Sequence, residues 1–269
     1  MLGALFGDIA GSRFEGNNIK SKDFELLNRN CRPTDDSCMT LAVAQAVLES
    51  ESCRETLSAK AVEYMQLWGR TYPYAGYGGR FAFWLCQPSP QPYNSFGNGA
   101  AMRVSACGWA GKSLEDVIRL SHAVTAVSHN HPEGFKGAEA TAVCIWLARN
   151  GKSRPEIRDY VNEHYYPLDF TISGIRDGYS FDVSCQGSVP QAIMAFLEAE
   201  DFEDAIRNAI SIGGDSDTIA AIAGSIAEAY FGIPADLRRQ ILTYLDDRML
   251  KVLTDFEAKY PPVTAKTAK

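Results

Sequence analysis

The chain has 269 residues, of which 46% are apolar and 11% aromatic, enough to build one large domain with a sizeable core. Its formal net charge of −7 argues against non-specific nucleic-acid binding, because such binding needs a basic face. Seven scattered cysteines without a CxxC pair argue against a zinc site and indicate reduced thiols. The first residues lack a basic segment, and no window of about 20 residues is continuously apolar. We therefore expect a soluble cytoplasmic protein that does not span a membrane.

Apolar residues recur at helical spacing along most of the chain. Residues 37–49 are rich in good helix formers, and Asp35 and Asp36 precede them as possible N-caps. Ser113 and Asp116 have the spacing of a capping box, which predicts a helix after them. Similar patterns predict helices over residues 133–149, over residues 190–197 with Pro190 in the first helical position, and over residues 202–212.

Residues 218–230 are apolar almost all round, with isoleucines on one side and small residues elsewhere. Small residues let neighbouring helices approach closely, so this segment is predicted to be a central, buried helix. Residues 234–253 are predicted to form one long amphipathic helix. Strand signals are few, and only residues 181–185 favour a short extended piece. The Gly- and Pro-rich residues 72–98 are expected to be mostly loop, and loops of that length are usually functional.

These patterns together predict an all-α fold. We expect one compact domain over residues 1–263, built as a bundle of many helices around the central buried one. Residues 264–269 have the composition of a frayed, disordered tail. We expect the protein to be a monomer.

Two acidic corners precede predicted helices. The first is Thr34-Asp35-Asp36-Ser37, and the second is Gly213-Gly214-Asp215-Ser216-Asp217-Thr218. Ordinary capping explains a single Asp or Ser at such a place. However, one cap needs one carboxylate, and each corner has two. The second corner also leads into the predicted buried helix, where paired carboxylates are unfavourable unless a cation compensates their charge.

Carboxylate and hydroxyl oxygens are ligands that hard cations such as Mg²⁺ prefer. If the two corners converge, four carboxylates and two threonine hydroxyls could hold two ions. The residues of this possible metal site are Thr34, Asp35, Asp36, Asp215, Asp217 and Thr218. Capping without a metal remains the alternative at this stage.

Three further clusters indicate a function only in combination with the acidic corners. Ser95-Phe96-Gly97-Asn98-Gly99 has glycines that let backbone N–H groups approach an anion, although an ordinary tight turn before a helix is the usual explanation of an isolated Gly-Asn-Gly. Phe96 by itself is more typical of a core residue. His129 and His131 precede a helix, and without a third soft ligand nearby a capped loop is the simpler interpretation than zinc. Small residues around Asp8 permit close packing near Glu15.

Taken in this order, the clusters resemble the ADP-ribosylglycohydrolase family, which includes the dinitrogenase-reductase-activating glycohydrolases and the ADP-ribosylhydrolases. The matching stretches span nearly the whole chain, from residue 3 to residue 224. The early Thr-Asp-Asp-Ser together with the late Gly-Gly-Asp-x-Asp-Thr is very specific, whereas the glycine loop alone is not. Ser216 stands where the motif commonly has Thr.

The resemblance implies an all-α fold with two Mg²⁺ ions, or Mn²⁺, held by the two acidic corners. It places Glu15 at the family's catalytic or substrate-gating glutamate. The substrate-binding positions that it implies are Ser95, Gly97, Asn98 and Gly99 for the diphosphate, Phe96 for the adenine, and His129 for the diphosphate and ribose. The short segment between Glu15 and Thr34 suggests a lid that differs from that of larger relatives.

The implied reaction is metal-dependent cleavage of the glycosidic bond between ADP-ribose and an acceptor. The acceptor is an ADP-ribosylated protein or a small ADP-ribose conjugate, and an arginine linkage is favoured over a serine linkage or a small ester. The base could be Asp35, Asp36 or Glu15, with Glu15 preferred through the resemblance. The alternatives are a two-metal nucleotide phosphohydrolase and, less favoured, a non-catalytic ADP-ribose-binding module.

Overall fold

The structure is a computed structural model, and it describes residues 1–51 and 53–264. This part of the chain is all-α and forms a single compact domain, which confirms the predicted fold class. Of the predicted tail, Thr264 has no regular structure, and residues 265–269 lie outside the described residues. No helix in the described part is both long enough and apolar enough to cross a membrane.

The fourteen helices of the described residues are α1 (Leu2–Gly11), α2 (Asp35–Glu49), α3 (Leu57–Thr71), α4 (Gly79–Leu85), α5 (Ser105–Ala110), α6 (Leu114–Thr125), α7 (Pro132–Arg149), α8 (Arg154–His164), α9 (Ile172–Ile175), α10 (Cys185–Leu197), α11 (Phe202–Ser211), α12 (Ser216–Phe231), α13 (Ala235–Leu242) and α14 (Asp247–Lys259). Two short 3₁₀ turns lie at Arg54–Thr56 and Asn98–Ala100. An isolated antiparallel bridge joins Gly97 to Ser184.

Helix α12 is the centre of the domain. All its residues from Ser216 to Ala229 are buried, and it packs against α1, α7, α10 and α11. The mixture of isoleucine, alanine and glycine on all its faces lets four helices surround it closely. The predicted central buried helix is therefore confirmed, with its start two residues earlier than the pattern indicates.

Helix α1, which the sequence analysis does not predict, lies in close contact along α12. All ten of its residues are buried. Gly3 and Gly7 face the backbone of α12 so closely that a Cβ on either would overlap a carbonyl oxygen, that of Gly224 or Ala220. A Cβ on Gly11 would lie 2.5 Å from the Cα of Asp217. This contact brings the end of α1, and the segment after it, beside the second acidic corner.

Three predicted elements differ from the structure. Pro190 lies inside α10, because Ser184 and not Ser188 is the cap, its hydroxyl accepting from the Gly187 N–H at 3.1 Å. The predicted helix over residues 234–253 is two helices, because Asp246 caps a new one and accepts from the Met249 N–H at 2.9 Å. The predicted loop over residues 72–98 contains α4, which buries Phe81 and two neighbours.

Replacing Gly7 by Ala should lower the free energy of unfolding by about 2–3 kcal/mol, because the new methyl group must push α1 away from α12. Urea denaturation of the purified variants measures this. The control is Gly16→Ala, since a Cβ at that exposed position meets nothing within 4 Å. Equal stability of the two variants would show that the two helices are not closely packed.

Candidate active site

Asp8 organises the first acidic corner. It is fully buried on α1 and accepts hydrogen bonds from the backbone N–H groups of Thr34 and Ser37, at 2.9 and 3.0 Å. The hydroxyl groups of the same two residues also donate to it, that of Thr34 at 2.6 Å. Burial raises the pKa of Asp8, and these hydrogen bonds oppose the shift. One carboxylate of α1 thus holds the start of α2 in place.

Thr34, rather than Asp35 or Asp36, is the N-cap of α2, which corrects the predicted caps. Its hydroxyl accepts from the Asp36 N–H at 3.3 Å while donating to Asp8. The Asp35 N–H donates to the Ala75 carbonyl at 3.0 Å, which ties the loop after α3 to this corner. Because capping is performed by Thr34, the side chains of Asp35 and Asp36 are available for another role.

The second corner is a turn that only glycine forms without strain. Gly213 and Gly214 have φ angles of +70° and +72°, in the left-handed region. Asp215 follows in the N-cap position of α12, but its side chain makes no capping hydrogen bond. Its Oδ2 instead accepts from the Asn98 side-chain amide at 2.6 Å. This carboxylate therefore connects the start of α12 to the glycine loop.

Glu15 lies beside this corner, held there by the segment that follows it. Carboxylate oxygens of Glu15, Asp215 and Asp217 all lie within 4.8 Å of one another. The Asn18 side chain makes a pair of hydrogen bonds with the Gly214 backbone, donating to its carbonyl at 2.9 Å and accepting from its N–H at 2.8 Å. The sequence analysis does not identify Asn18, since only the fold shows that it faces Gly214.

Both acidic corners and the glycine loop open into one cleft of about 420 Å³, a size that suits a small-molecule ligand. Asp35 and Asp217, separated by most of the chain, line the same cleft. The lining includes these predicted residues: Glu15, Asp35, Asp36, Ser95, Gly97, Asn98, Gly99, His129, Asp215, Asp217 and Thr218. Two predicted residues, Thr34 and Phe96, are not part of the lining found among the described residues.

The carboxylates of the cleft have raised pKa values, because their charged forms are unfavourable there. Burial, together with the neighbouring carboxylates, raises the pKa of Asp35 to about 7 and the pKa of Asp36 and Asp217 well above the ordinary aspartate value. Burial also raises the pKa of Asp215 and of Glu15. The Asp36 Oδ2 is buried and has no hydrogen-bond partner among the described residues. Buried like charges of this kind are stable when a cation lies between them.

The donor set fits a hard divalent cation. Asp36 presents an unpaired buried oxygen, and Glu15, Asp215 and Asp217 supply three oxygens close enough to share one ion. The group of possible ligands found among the described residues contains carboxylates and neither sulfur nor imidazole, which suits Mg²⁺ or Mn²⁺ better than zinc. The Thr218 hydroxyl is at the same corner, whereas the Thr34 hydroxyl is engaged with Asp8. The identity and number of the ions remain predictions.

The glycine loop is fixed to the rest of the cleft on both sides. The Asn98 N–H donates to the Val183 carbonyl at 2.7 Å, and the Cys185 N–H donates to the Phe96 carbonyl at 2.9 Å. The Asn98 side chain also donates to the Ser188 hydroxyl at 3.1 Å, in addition to Asp215. Asn98 therefore connects the predicted diphosphate loop to the predicted metal corner, a link that its position in the sequence does not reveal.

Phe96 is 46% exposed, so it is not the core residue that it resembles when considered alone. Its ring packs edge-on against His131 at 5.3 Å. His131 caps α7 by accepting from the Glu133 N–H at 3.1 Å, which supports a capped loop over a zinc site.

Several residues line the cleft that the sequence analysis does not assign. They include Arg80, Phe81, Tyr93, Arg103, Phe181 and Val183. Phe181 and Val183 are about half exposed, at 54% and 52%. They come from the predicted extended piece, which the bridge to Gly97 places along the glycine loop. Two apolar residues in an extended loop are a weak sequence signal for a binding site. Their role in the cleft is recognised only when the fold places them beside the glycine loop.

Comparison with known proteins identifies the family. The sequence model described as ADP-ribosylglycohydrolase matches residues 1–262. This chain belongs to the ADP-ribosylglycohydrolase family. It is 28% identical to the ADP-ribosylhydrolase ARH3 of Xenopus tropicalis, over 86% of each chain. It is 27% identical to the ADP-ribosylhydrolase ARH3 of Homo sapiens, over 87% of this chain and 84% of that one.

A solved ADP-ribosylglycohydrolase-related protein complex has the same fold. It aligns with a TM-score of 0.70 at 22% sequence identity, over 96% of this chain and 95% of that chain. The family assignment makes this ADP-ribosylglycohydrolase a hydrolase that acts on ADP-ribosylated substrates.

We expect Mg²⁺ to stabilise this protein, and we expect the stabilisation to increase from about pH 6 to about pH 8. In the metal-free protein the raised pKa values favour protonated carboxyl groups. The stability of the folded state therefore falls as the pH rises from about 4, the pKa of Asp35 in the unfolded chain, to about 7, its pKa in the folded protein. A cation relieves that loss, since its ligands must be deprotonated. Thermal unfolding with EDTA or with Mg²⁺ at both pH values measures the difference.

The matched variants for this test are Asp35→Asn in the cleft and Asp255→Asn on the exposed face of α14. The Asp35→Asn protein should lose much of the pH dependence, and the Asp255→Asn protein should keep it, since its carboxylate pairs with Lys251 at the surface. A Mg²⁺-induced shift of the same size at both pH values would contradict the assignment of the carboxylates to a metal site.

Proposed function

We propose that this protein is a Mg²⁺-dependent glycoside hydrolase that removes ADP-ribose from a mono-ADP-ribosylated acceptor and so reverses ADP-ribosylation. The observation that carries the proposal is the division of one cleft into two parts. Buried carboxylates form one part, and the glycine loop with His129 forms the other. The 2.6 Å hydrogen bond from Asn98 to Asp215 joins the two. A substrate with a ribose at one end of a diphosphate matches this arrangement.

The carboxylates of the two corners are the proposed metal ligands. Asp36, Asp215 and Asp217, which are the most deeply buried ones in the cleft, would hold the ions together with Asp35 and the Thr218 hydroxyl. The Thr34 hydroxyl, which donates its proton to Asp8, would add a lone pair of its oxygen. Bound Mg²⁺ would supply Lewis acidity, both orienting the hydroxyls of the distal ribose and lowering the pKa of a water molecule. The fold contributes the rest, since Asp8 and the α1–α12 contact hold the two corners at a constant separation.

Cleavage of a glycosidic bond needs an acid for the leaving group and a base for water. Glu15 is our choice for the group that moves the proton, because it is the one exposed member of the carboxylate cluster. Burial and the nearby Asp215 raise its pKa, which suits proton transfer near neutral pH. Asp35, with a pKa of about 7, is the second candidate, and Asp36 is the third.

The glycine loop is the proposed diphosphate site. Ser95, Gly97, Asn98 and Gly99 surround the end of the cleft to which His129 belongs. Of these, the Asn98 backbone N–H and side chain are already engaged within the protein. Asn98 is therefore proposed to shape the loop and orient Asp215. Phe96, half exposed beside the cleft, is available to stack on the adenine.

The Asp217→Asn protein should lose its turnover by about 100-fold or more, because a metal ion supplies several kcal/mol of transition-state stabilisation. Liquid chromatography of the products followed by mass spectrometry measures the rate and identifies the bond that is cleaved. Free ADP-ribose is expected, and excess EDTA should abolish its formation. The Asp255→Asn protein serves as the control, with unchanged turnover.

Two results would count against the proposal. Full activity of the Asp217→Asn protein, or of the wild-type protein in EDTA, would exclude the assigned metal role. AMP with ribose phosphate as products would instead indicate attack on phosphorus by a two-metal phosphohydrolase. Binding of ADP-ribose without any turnover of conjugates would indicate a non-catalytic module.

For the acceptor we propose an arginine linkage. Glu15 lies exposed at the rim, and Asp35 is close enough to raise the negative potential there further. A guanidinium is attracted by these carboxylates, whereas a serine hydroxyl is not. Arginine-linked ADP-ribosyl peptides should be cleaved about fivefold faster than matched serine-linked peptides, in line with the modest free energy of an exposed ion pair. Mass spectrometry of one reaction that contains both peptides gives the ratio of the two cleavage rates. Faster cleavage of the serine-linked peptide would show that the acceptor is serine.

A further inference from the structure

Arg103 is a cation without a matching anion. Its side chain is fully buried, and within the described residues it forms no ion pair with a carboxylate. Its guanidinium lies 5.4 Å from the centre of the Phe81 ring, and its Nε has no hydrogen-bond partner there. Burial lowers the pKa of Arg103 to about 10, which still leaves it protonated at neutral pH. Burying an unpaired charge costs free energy of hydration, which suggests that Arg103 has a function.

The polar contacts of Arg103 lead to His129. One of its Nη atoms donates to the Ser128 hydroxyl at 2.7 Å and to the Val124 carbonyl at 3.3 Å. The Ser128 hydroxyl lies 2.8 Å from the Nδ1 of His129. Arginine has only donors, so Ser128 must accept from it. We assign the proton of the Ser128 hydroxyl to the contact with Nδ1, which places the ring proton of His129 on Nε2.

The other side of the His129 ring faces the glycine loop. Its Nε2 lies 3.3 Å from where a Cβ of Gly99 would be, and 3.6 Å from the corresponding point at Gly97. His129 is itself 5% exposed and lines the cleft. The charged groups that face it are Arg103 and Arg80, and the Tyr93 ring packs 5.7 Å away. Burial and the two arginines lower the pKa of His129 well below its usual value, so the imidazole is neutral.

We propose that Arg103 and Ser128 are positioning residues that hold His129 in the Nε2–H tautomer, so that a neutral N–H group points at the diphosphate of the substrate. The proposal rests on the function proposed above for its ligand, whereas the tautomer itself is a property of the free protein. In the opposite tautomer, a lone pair of Nε2 would face the phosphate oxygens and repel them. The charge of Arg103 lies behind the histidine and favours the anion at the same place.

The tautomer is measured directly by long-range ¹H–¹⁵N NMR of the imidazole rings. The chain has four histidines, and the His129→Gln protein identifies the signals of His129. The wild-type protein should show His129 as the Nε2–H tautomer, without titration from about pH 6 to about pH 8. In the Ser128→Ala protein the signals should move to a mixture of tautomers, and in Ser128→Thr, which keeps the hydroxyl, they should be restored.

The binding readout uses ADP-ribose as the probe. Its affinity should fall about tenfold in the Ser128→Ala protein, the effect of losing one well-oriented hydrogen bond. The matched control is Ser121→Ala, another fully buried serine, whose hydroxyl donates to the Ile118 carbonyl on α6. It should cost similar stability while leaving the tautomer and the affinity unchanged. Arg103→Lys, which keeps the charge but not the planar donor group, should shift the tautomer less than Arg103→Gln.

Two outcomes overturn the proposal. One is a wild-type His129 that carries its proton on Nδ1, and the other is a Ser128→Ala protein that matches Ser121→Ala in both tautomer and ADP-ribose affinity. Failure of the proposed function is seen separately, as a wild-type protein that has the Nε2–H tautomer but neither binds nor releases ADP-ribose. The NMR test does not require the Arg103 variants to be stable, because Ser128→Ala interrupts the same chain of hydrogen bonds from Arg103 to His129.

Discussion

The contact between α1 and α12 is the constraint on which the site depends. Glycines on α1 let the two helix backbones touch, so that Asp8 and Asp217 are held on neighbouring helices. Asp8 then fixes the start of α2 through four hydrogen bonds. Two acidic corners that are nearly 180 residues apart along the chain therefore face one another. A wider helix spacing would separate them, and no local interaction within either corner could compensate.

The arrangement concentrates negative charge where water is scarce. Burial raises the pKa of Asp35, Asp36, Asp215 and Asp217, and neighbouring carboxylates raise the pKa of Asp35, Asp36 and Asp217 further. One oxygen of Asp36 has no hydrogen-bond partner among the described residues. The cationic residues of the cleft lie at the other part, where Arg80 and Arg103 surround His129. A ligand that offers hydroxyls at one end and a diphosphate at the other complements both parts at once. The Asn98–Asp215 hydrogen bond keeps their separation constant.

Errors in the sequence analysis have physical causes. The sequence pattern predicts that Pro190 begins a helix, yet Ser184 is an earlier cap and the helix continues through the proline. The helix predicted over residues 234–253 is interrupted because Asp246 binds the backbone of the turn that follows it. Helix α1 carries no polar face, since all its residues are buried, and so it lacks the amphipathic period that reveals most helices.

Local chemistry was readable from the sequence itself: the all-α class, the buried character of α12, the two acidic corners and the glycine loop all follow from residue type and spacing. The resemblance to a family added the expected roles of Glu15, His129 and their neighbours. Only the tertiary structure decided that Thr34 caps α2, that Asn98 reaches Asp215, that Asn18 holds the segment of Glu15, and that Arg103 stands behind His129. The reason is that these interactions join residues distant in sequence, and their partners are chosen by helix packing.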